Sequence, residues 1–519
     1  MCFPLDEWPH ALRILPPIIH EQNPFTMSVN VSTATRQSVK CDAIIVLIPE
    51  TERQFGQHEK ALTAAIPHLT PVFESKDFTG KSLQTALAYC GSAASAPRVI
   101  LTGLGETQNV TVETLRRAAA AAAKRAASSG CQHIAVDVQT VNGIDAATVA
   151  QAIVEGALLS QYAFDKYKTI APSNGKKVKK LTLITDKAHQ KAVTKGADAG
   201  WVIVEGVTLA RDLANAPNNE IYPETLARKA QEVGRKSGFK TTVLDKAKIE
   251  ALKMGGLLGV NQGSTRPPVM IVMEYMKGPK SEKPLVLVGK GVTFDTGGIS
   301  IKPAAGMSDM KSDMHGAASV IGTMQTIAKL GLKRNVVGIV PATENMPSGS
   351  ALVPGDIITF MNGKTAEIDN TDAEGRLILA DALCYADRYK PSAVIDLATL
   401  TGAVVIALGS VTTGMMGTDE KTKSRLRAAA AKTNEYVCEL PLYEEYEELI
   451  SSDYADIKNS GGRSAGSITA ALFLKHFVSY PWVHLDIAGT GIQPKAAHYV
   501  CKGGSGVGVR LLTEMLRHW

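Results

Sequence analysis

The 519-residue sequence is poor in aromatic residues, which make up 5% of it, and it holds only seven cysteines. Cys2, Cys41, Cys90, Cys131, Cys384, Cys438 and Cys501 are odd in number, scattered, and form no C-x-x-C pair. That pattern argues against a disulfide-framed scaffold and a cysteine zinc cage, and it fits reduced thiols in a cytoplasm. Long hydrophobic runs are missing too. The longest, residues 394–408, is short for a bilayer span and carries Asp396 near its start, so it reads as a buried strand and turn, and no membrane partner is expected. Charge of one sign is not in great excess: a formal net charge of +6 permits contact with nucleic acid without arguing for it. The first residues lack the basic stretch of a secretion signal, and Pro16-Pro17 interrupts their apolar run. Residues 1–26 are therefore expected to be a disordered extension, with Met27 as the physiological start.

What is present has the balance of a globular protein, 45% hydrophobic and 20% charged, on a chain too long for one ordinary core. Two domains are expected. Residues 27–186 alternate β-rich runs at 43–48, 98–101, 133–138 and 181–184 with an Ala-rich helix at 112–128 that stops before Gly130, the pattern of a smaller N-terminal α/β domain. Gly103-Leu104-Gly105 lacks the third glycine of a dinucleotide loop and reads as an ordinary strand-to-helix turn. Lys176, Lys177, Lys179, Lys180 and the pairs Arg116-Arg117 and Lys124-Arg125 make this region locally basic, as a solvated face or a nucleic-acid surface. A helical pattern over 187–213 reads as a linker. Residues 214–519 form the larger α/β domain, with strands at 269–275, 285–294, 335–340, 393–397 and 482–487 in a largely parallel central sheet, and helices at 224–234, 317–330 and 377–388.

Two blocks about eighty residues apart carry the chemistry. V-G-K-G-V-T-F-D-T-G-G-I-S-I-K, residues 288–302, continues to Asp313, and N-T-D-A-E-G-R covers 370–376. Together they bring Asp295, Asp313, Asp372 and Glu374 near Lys290, Lys302 and Arg376. Carboxylates gathered this way repel unless a cation lies between them, and oxygen donors in this number suit a pair of divalent metals. The apolar run 285–288 reads as a strand buried on both faces, which puts Lys290 and Asp295 at or beyond its carboxyl end, where open α/β sheets hold ligands. Asp372 and Glu374, two apart, would point the same way in an extended segment. Taken singly, each residue has a plain alternative: Asp313 as a helix cap, Asp372 and Glu374 as a solvated turn, His484 as strand packing. His315 lacks a second histidine at zinc spacing. Lys290 among glycines does not complete a phosphate loop. The combination carries the reading of a two-metal hydrolytic centre.

With N-T-D-A-E-G-R unaltered, the 288–302 block, and the further stretches G-A-A-S-V, E-N-M-P, D-L-A-T-L-T-G-A and H-L-D-I-A-G, the chain resembles the leucyl aminopeptidase (cytosol aminopeptidase) family, nearest its bacterial aminopeptidase A branch. The resemblance covers the whole second domain. It implies that Lys290, Asp295, Asp313, Asp372 and Glu374 ligate two metal ions, manganese or zinc, with Asp295 and Glu374 shared and Lys290 binding as a neutral amine. It implies catalytic roles for Lys302 and Arg376, the latter holding a bicarbonate. Met310, Thr399, Leu400, Gly402 and the region near Ala465 would line the pocket for the first side chain. The expected activity is removal of leucine and other apolar N-terminal residues from peptides by a cytoplasmic homo-hexamer. Two departures stand out: S-G-V-G-V at 505–509 replaces the expected T-G-R-P-V, and His315 replaces a small or sulfur-bearing residue. The branch also includes proteins acting in recombination and transcription control, so DNA binding is the competing reading. A two-metal phosphoesterase is a third, but it gives no reason for Lys302 or the pocket residues.

Overall fold

The computed structural model describes residues 27–50, 60, 63–64, 66–90, 95–170 and 177–519. The expected extension at 1–26 and Lys176 lie outside them.

The N-terminal part is a six-stranded sheet of β1 (Ser28–Ser32), β2 (Ala43–Pro49), β3 (Thr85–Tyr89), β4 (Arg98–Gly105), β5 (His133–Asp137) and β6 (Lys180–Ile184), in the order β1-β6-β5-β2-β4-β3. Only β3 runs antiparallel to its neighbour. Helix α1 (Val112–Ser128) begins where Thr111 accepts from the Thr114 N–H at 3.2 Å and ends ahead of Gly130, whose φ of 77° takes the left-handed conformation that stops helices. Helix α2 (Ala146–Leu159) packs on α1 at Gly156, where a Cβ would lie 1.9 Å from the Arg116 carbonyl oxygen. Helix α3 (Gln190–Asn215) packs on α2 and reaches into the second part.

The C-terminal part is built on a nine-stranded sheet. Its strands are β7 (Lys240–Leu244), β8 (Val269–Met276), β9 (Leu285–Gly289), β10 (Gly291–Asp295), β11 (Asn335–Asn345), β12 (Ala393–Ala398), β13 (Thr412–Gly417), β14 (Tyr436–Glu439) and β15 (Trp482–Asp486). The order is β14-β13-β15-β12-β9-β11-β8-β7, with β10 also on β11. The centre is parallel; β7, β8 and the β13–β15 pairing are antiparallel. Successive residues of β9 go to opposite faces and are buried on both: Leu285 and Leu287 join the core under helix α4 (His315–Lys329), while Val286 and Val288 join the core under α5 (Glu374–Ala386). This is the expected mixed α/β architecture with a largely parallel sheet.

Several expectations need correcting. The single strand read at 285–294 is two strands. Lys290 breaks them, its N–H donating to Leu397 at 3.0 Å and its carbonyl accepting from Ala317 at 2.9 Å, so β9 ends against β12 and α4 while β10 continues on β11. The turn read at Gly103-Leu104-Gly105 lies inside β4, where a Cβ on Gly103 would sit 2.0 Å from the Lys81 carbonyl oxygen. Arg116 does not contribute to a basic surface: its Nε is 2.8 Å from Glu155 in the interior. Lys124 donates to the His498 carbonyl.

The two parts are joined by buried arginines. Arg211 of α3 donates to the carbonyls of Ser505 (2.9 Å), Leu159 (3.1 Å) and Tyr499 (3.0 Å). Arg510, in the C-terminal helix α6 (Val509–Arg517), lies 3.5 Å from Glu155, so that one glutamate of the N-terminal part faces Arg116 and Arg510 together.

Candidate active site and metal centre

The carboxyl ends of β9, β10, β11, β12 and β15 converge on one place, and the two sequence blocks meet there. Asp295 is the last residue of β10. Gly297 and Gly298 follow with φ of 87° and 65°, a chain reversal that a side chain would disfavour, and a Cβ on Gly297 would come 2.9 Å from the Asp372 carboxylate. Asp313 sits between a 3-10 turn, Met307–Ser312, which carries Met310, and helix α4. The extended reading of Asp372 and Glu374 is corrected here. Asp372 lies in a turn with its N–H on the Asn370 side chain at 2.9 Å, and Glu374 opens α5. A turn and a helix start nevertheless bring both carboxylates to the Asp295 side.

Oxygen atoms of Asp295, Asp372 and Glu374 all lie within 4.8 Å of one another. Lys290 Nζ bridges from them to Asp313, at 2.9 Å from Glu374 and 2.8 Å from Asp313, and donates to the Thr399 carbonyl at 2.8 Å. Thr399 also donates its hydroxyl to Asp313 at 2.7 Å. Lys302 Nζ lies 2.9 Å from Asp295 and also contacts Asp372. The second oxygen of Glu374 is buried and has no hydrogen-bond partner. A buried carboxylate oxygen without a donor costs stability unless something positive meets it, so the donor set fits a cation.

Electrostatics point the same way. Burial, and then the Glu374 charge, raise the Asp295 carboxyl above its usual range; burial and Asp295 raise Asp372; burial raises Asp313 well above it, against the pull of Lys290. Burial by itself would lower both lysines, but Asp313, Glu374 and Asp295 hold Lys290 above its ordinary value, and Asp295, Glu374 and Asp372 do the same for Lys302. The carboxylates outnumber what two ammonium groups neutralise. Arg376 points inward from α5, its Nη1 donating to the Asn459 carbonyl at 2.7 Å while its buried Nε has no partner; burial pushes it down to about 10.

The chain also uses residues that sequence reasoning passed over. Asn345, at the end of β11, donates to Asp295 at 2.8 Å and to the Thr371 carbonyl at 3.1 Å. Its signal was present in E-N-M-P. Asn459 holds both Arg376 and the Asn370 carbonyl (2.7 Å), and nothing in its local sequence marks it. Thr399 and Leu400 lie on the loop from β12 into helix 402–408, which Gly402 begins, and Thr401 meets Ser467 at 2.8 Å, which brings the Ala465 region beside that loop. His315 is buried away from solvent, its Nε2 accepting from the Gly506 N–H at 3.2 Å, so the two departures from the family pattern touch one another. His484 packs in β15, its Nδ1 2.6 Å from Asp396 of β12.

The model of the catalytic domain of the cytosol aminopeptidase family matches residues 208–513, and that of the family's N-terminal domain matches 45–171. The chain belongs to the cytosol aminopeptidase family. A probable cytosol aminopeptidase of Alkaliphilus oremlandii is 42% identical over 495 residues, spanning 95% of this chain and 99% of that protein. One of Chlorobium luteolum is 47% identical over 446 residues, 82% of this chain and 87% of its own length. Among solved structures, a tomato leucine aminopeptidase mutant superposes with a TM-score of 0.85 at 31% identity, covering 96% of this chain and 98% of that one. The bottromycin maturation enzyme BotP in complex with Mn gives 0.81 at 32%, covering 92% and 99%. This cytosol aminopeptidase family member is thus a hydrolase of the exopeptidase class. Among its described residues, no helix is long and apolar enough to cross a membrane.

Proposed function

We propose that the enzyme releases leucine and other apolar N-terminal residues from peptides at a two-metal centre held by Lys290, Asp295, Asp313, Asp372 and Glu374. The observation that carries this reading is the cluster of Asp295, Asp372 and Glu374 oxygens within 4.8 Å, with one buried Glu374 oxygen left without a donor. Two divalent ions, manganese or zinc, would supply Lewis acidity and lower the pKa of water at this site. A superposable relative was solved with Mn, which favours manganese.

The chain's own groups do the rest. Lys290 would hold a metal as a neutral amine, the linkage expected when a cation competes with protons for a buried site. Lys302 stays charged and donates to the oxygen that becomes negative as the peptide carbonyl is attacked. Arg376 would hold a bicarbonate in its fork of donors, and such an anion would supply a general base that the guanidinium cannot. Thr399, Leu400, Gly402 and Met310 receive the first side chain. The protein works as a cytoplasmic homo-hexamer, with residues 214–519 as its catalytic domain.

The test is hydrolysis of leucyl-p-nitroanilide with and without chelator, followed by added manganese or zinc. Chelator should abolish the activity and manganese restore it. Full activity in a chelated, metal-free preparation would end the two-metal reading.

A further inference from the structure

One buried carboxylate in the neighbourhood has no part in the reaction described above. Asp486 ends β15 and is almost wholly buried. Its Oδ1 accepts from the backbone N–H of Leu400 at 3.1 Å and of Ala488 at 3.1 Å. Its Oδ2 accepts the Thr401 hydroxyl at 2.6 Å. With its proton committed to Asp486, Thr401 is left with its acceptor sites, and both are used. The Val404 N–H donates to it at 3.1 Å, which starts the helix 402–408, and Ser467 lies 2.8 Å away with its own proton to give.

Asp486 therefore fixes two consecutive residues of the loop between β12 and the helix 402–408. Thr399 immediately precedes them, and it is the residue whose carbonyl accepts from Lys290 and whose hydroxyl donates to Asp313. The same loop carries Thr399 and Leu400 and leads into Gly402, three of the residues assigned above to the first side chain. A charged acceptor makes stronger hydrogen bonds than a neutral one, and in a dry interior its two oxygens define the loop backbone more tightly than packing alone.

We propose that Asp486 is a positioning residue that sets substrate selectivity: by holding Leu400 and Thr401 it shapes the pocket for the N-terminal side chain. The inference rests on the aminopeptidase reading of this loop. It predicts a particular pattern of damage. Asp486→Ala removes all three acceptances and should loosen the loop. Asp486→Asn should largely rescue it, because the amide oxygen can still accept from Leu400 and Ala488. The amide NH2 can donate to Thr401, which then turns its own proton toward Ser467. Thr401→Val breaks the contact from the loop side with nearly the same volume, and Thr401→Ser restores the hydroxyl.

The experiment compares kcat/KM for leucyl- and alanyl-p-nitroanilide in the manganese-loaded enzyme, alongside deuterium uptake of peptides covering 399–404. For Asp486→Ala and Thr401→Val the preference between the two substrates should shift about tenfold while bound manganese stays at the wild-type level. Uptake at 399–404 should rise, and Asp486→Asn and Thr401→Ser should lie close to wild type. Should Asp486→Ala not fold, Thr401→Val carries the comparison alone. Equal loss on both substrates, with only a lower melting temperature, would reduce Asp486 to a structural residue and overturn the proposal. Unchanged selectivity would do the same. A wild-type enzyme indifferent to chelator would count against the two-metal reading instead, and there unchanged uptake at 399–404 in the variants is the result that overturns the role of Asp486.

Discussion

Glu374 and Asp295 face the same space from a helix start and a strand end, and that convergence makes individual substitutions informative. Asp295→Ala and Glu374→Ala should each abolish peptidase activity, lower bound metal as measured by elemental analysis, and lower the melting temperature, because a ligand bound only to the folded state stabilises it. Retention of two ions per chain in either variant would rule out shared ligation. Lys302→Ala should keep its metals and lose roughly 10²–10³ in kcat, the usual effect of removing one oxyanion donor; a rise in KM with kcat intact would assign Lys302 to ground-state binding. Arg376→Ala should cut kcat without loss of metal, and wild-type enzyme in bicarbonate-free buffer should slow and recover on re-addition while the variant does not respond. A wild type indifferent to bicarbonate across concentrations would exclude the anion as base. The residues in these predictions were legible because they crowd into two short blocks. Asn459 was not, because it reaches the site from a distant loop, and a lone Asn in sequence is no different from any capping or turn residue; Asp486 stood inside H-L-D-I-A-G, but only the fold shows which loop it holds.

At the scale of elements, legibility followed periodicity and caps. Helix α1 was read to its exact ends, since Thr111 and Gly130 bracket a run of alanines. Helix α2 was missed because it is buried on nearly every side, so its apolar residues show no 3.6-residue stripe. Strands β1 and β3 sit at the two edges of their sheet, where half-exposed residues dilute the alternation. The break at Lys290 was marked only by Gly289 and Gly291, which also fit a bulge within one strand, and the neighbouring β12 and α4 divert the chain there. The close approach of α1 and α2 gives the element-scale prediction. Gly156→Ala places a methyl against the Arg116 carbonyl with no side chain able to yield, so the helices must part, at a cost of about 1–3 kcal/mol. Denaturant midpoints measure it, and a change below about 0.5 kcal/mol would mean that the helices separate freely.

For the whole molecule the decisive contacts are ionic and interior. Burial would raise the Glu155 carboxyl, but Arg116 and Arg510 outweigh it and hold the group below its ordinary 4.5. A carboxylate depressed on folding stabilises the fold above its unfolded value and loses that contribution as pH falls through the lower folded value. Glu155→Gln should therefore cost about 1.5–3 kcal/mol near neutrality, since Arg116 keeps Glu113 at 2.5 Å and Arg510 keeps Glu435 at 3.3 Å. The gap between variant and wild type in thermal melts should narrow as pH drops below 4.5. A pH-independent gap would assign the loss to packing.

Arg211 has a consequence for how the chain is made. Two of the three carbonyls that its guanidinium requires, those of Tyr499 and Ser505, lie 288 and 294 residues further along the chain. Until the ribosome has added them, helix α3 holds a cation whose permanent seat does not yet exist. The N-terminal sheet can settle during synthesis, but the junction must stay hydrated and open until Ser505 has been made. Closure of the two halves thus follows the synthesis of Ser505, and a nascent chain stalled before that residue would carry its interior arginine into water.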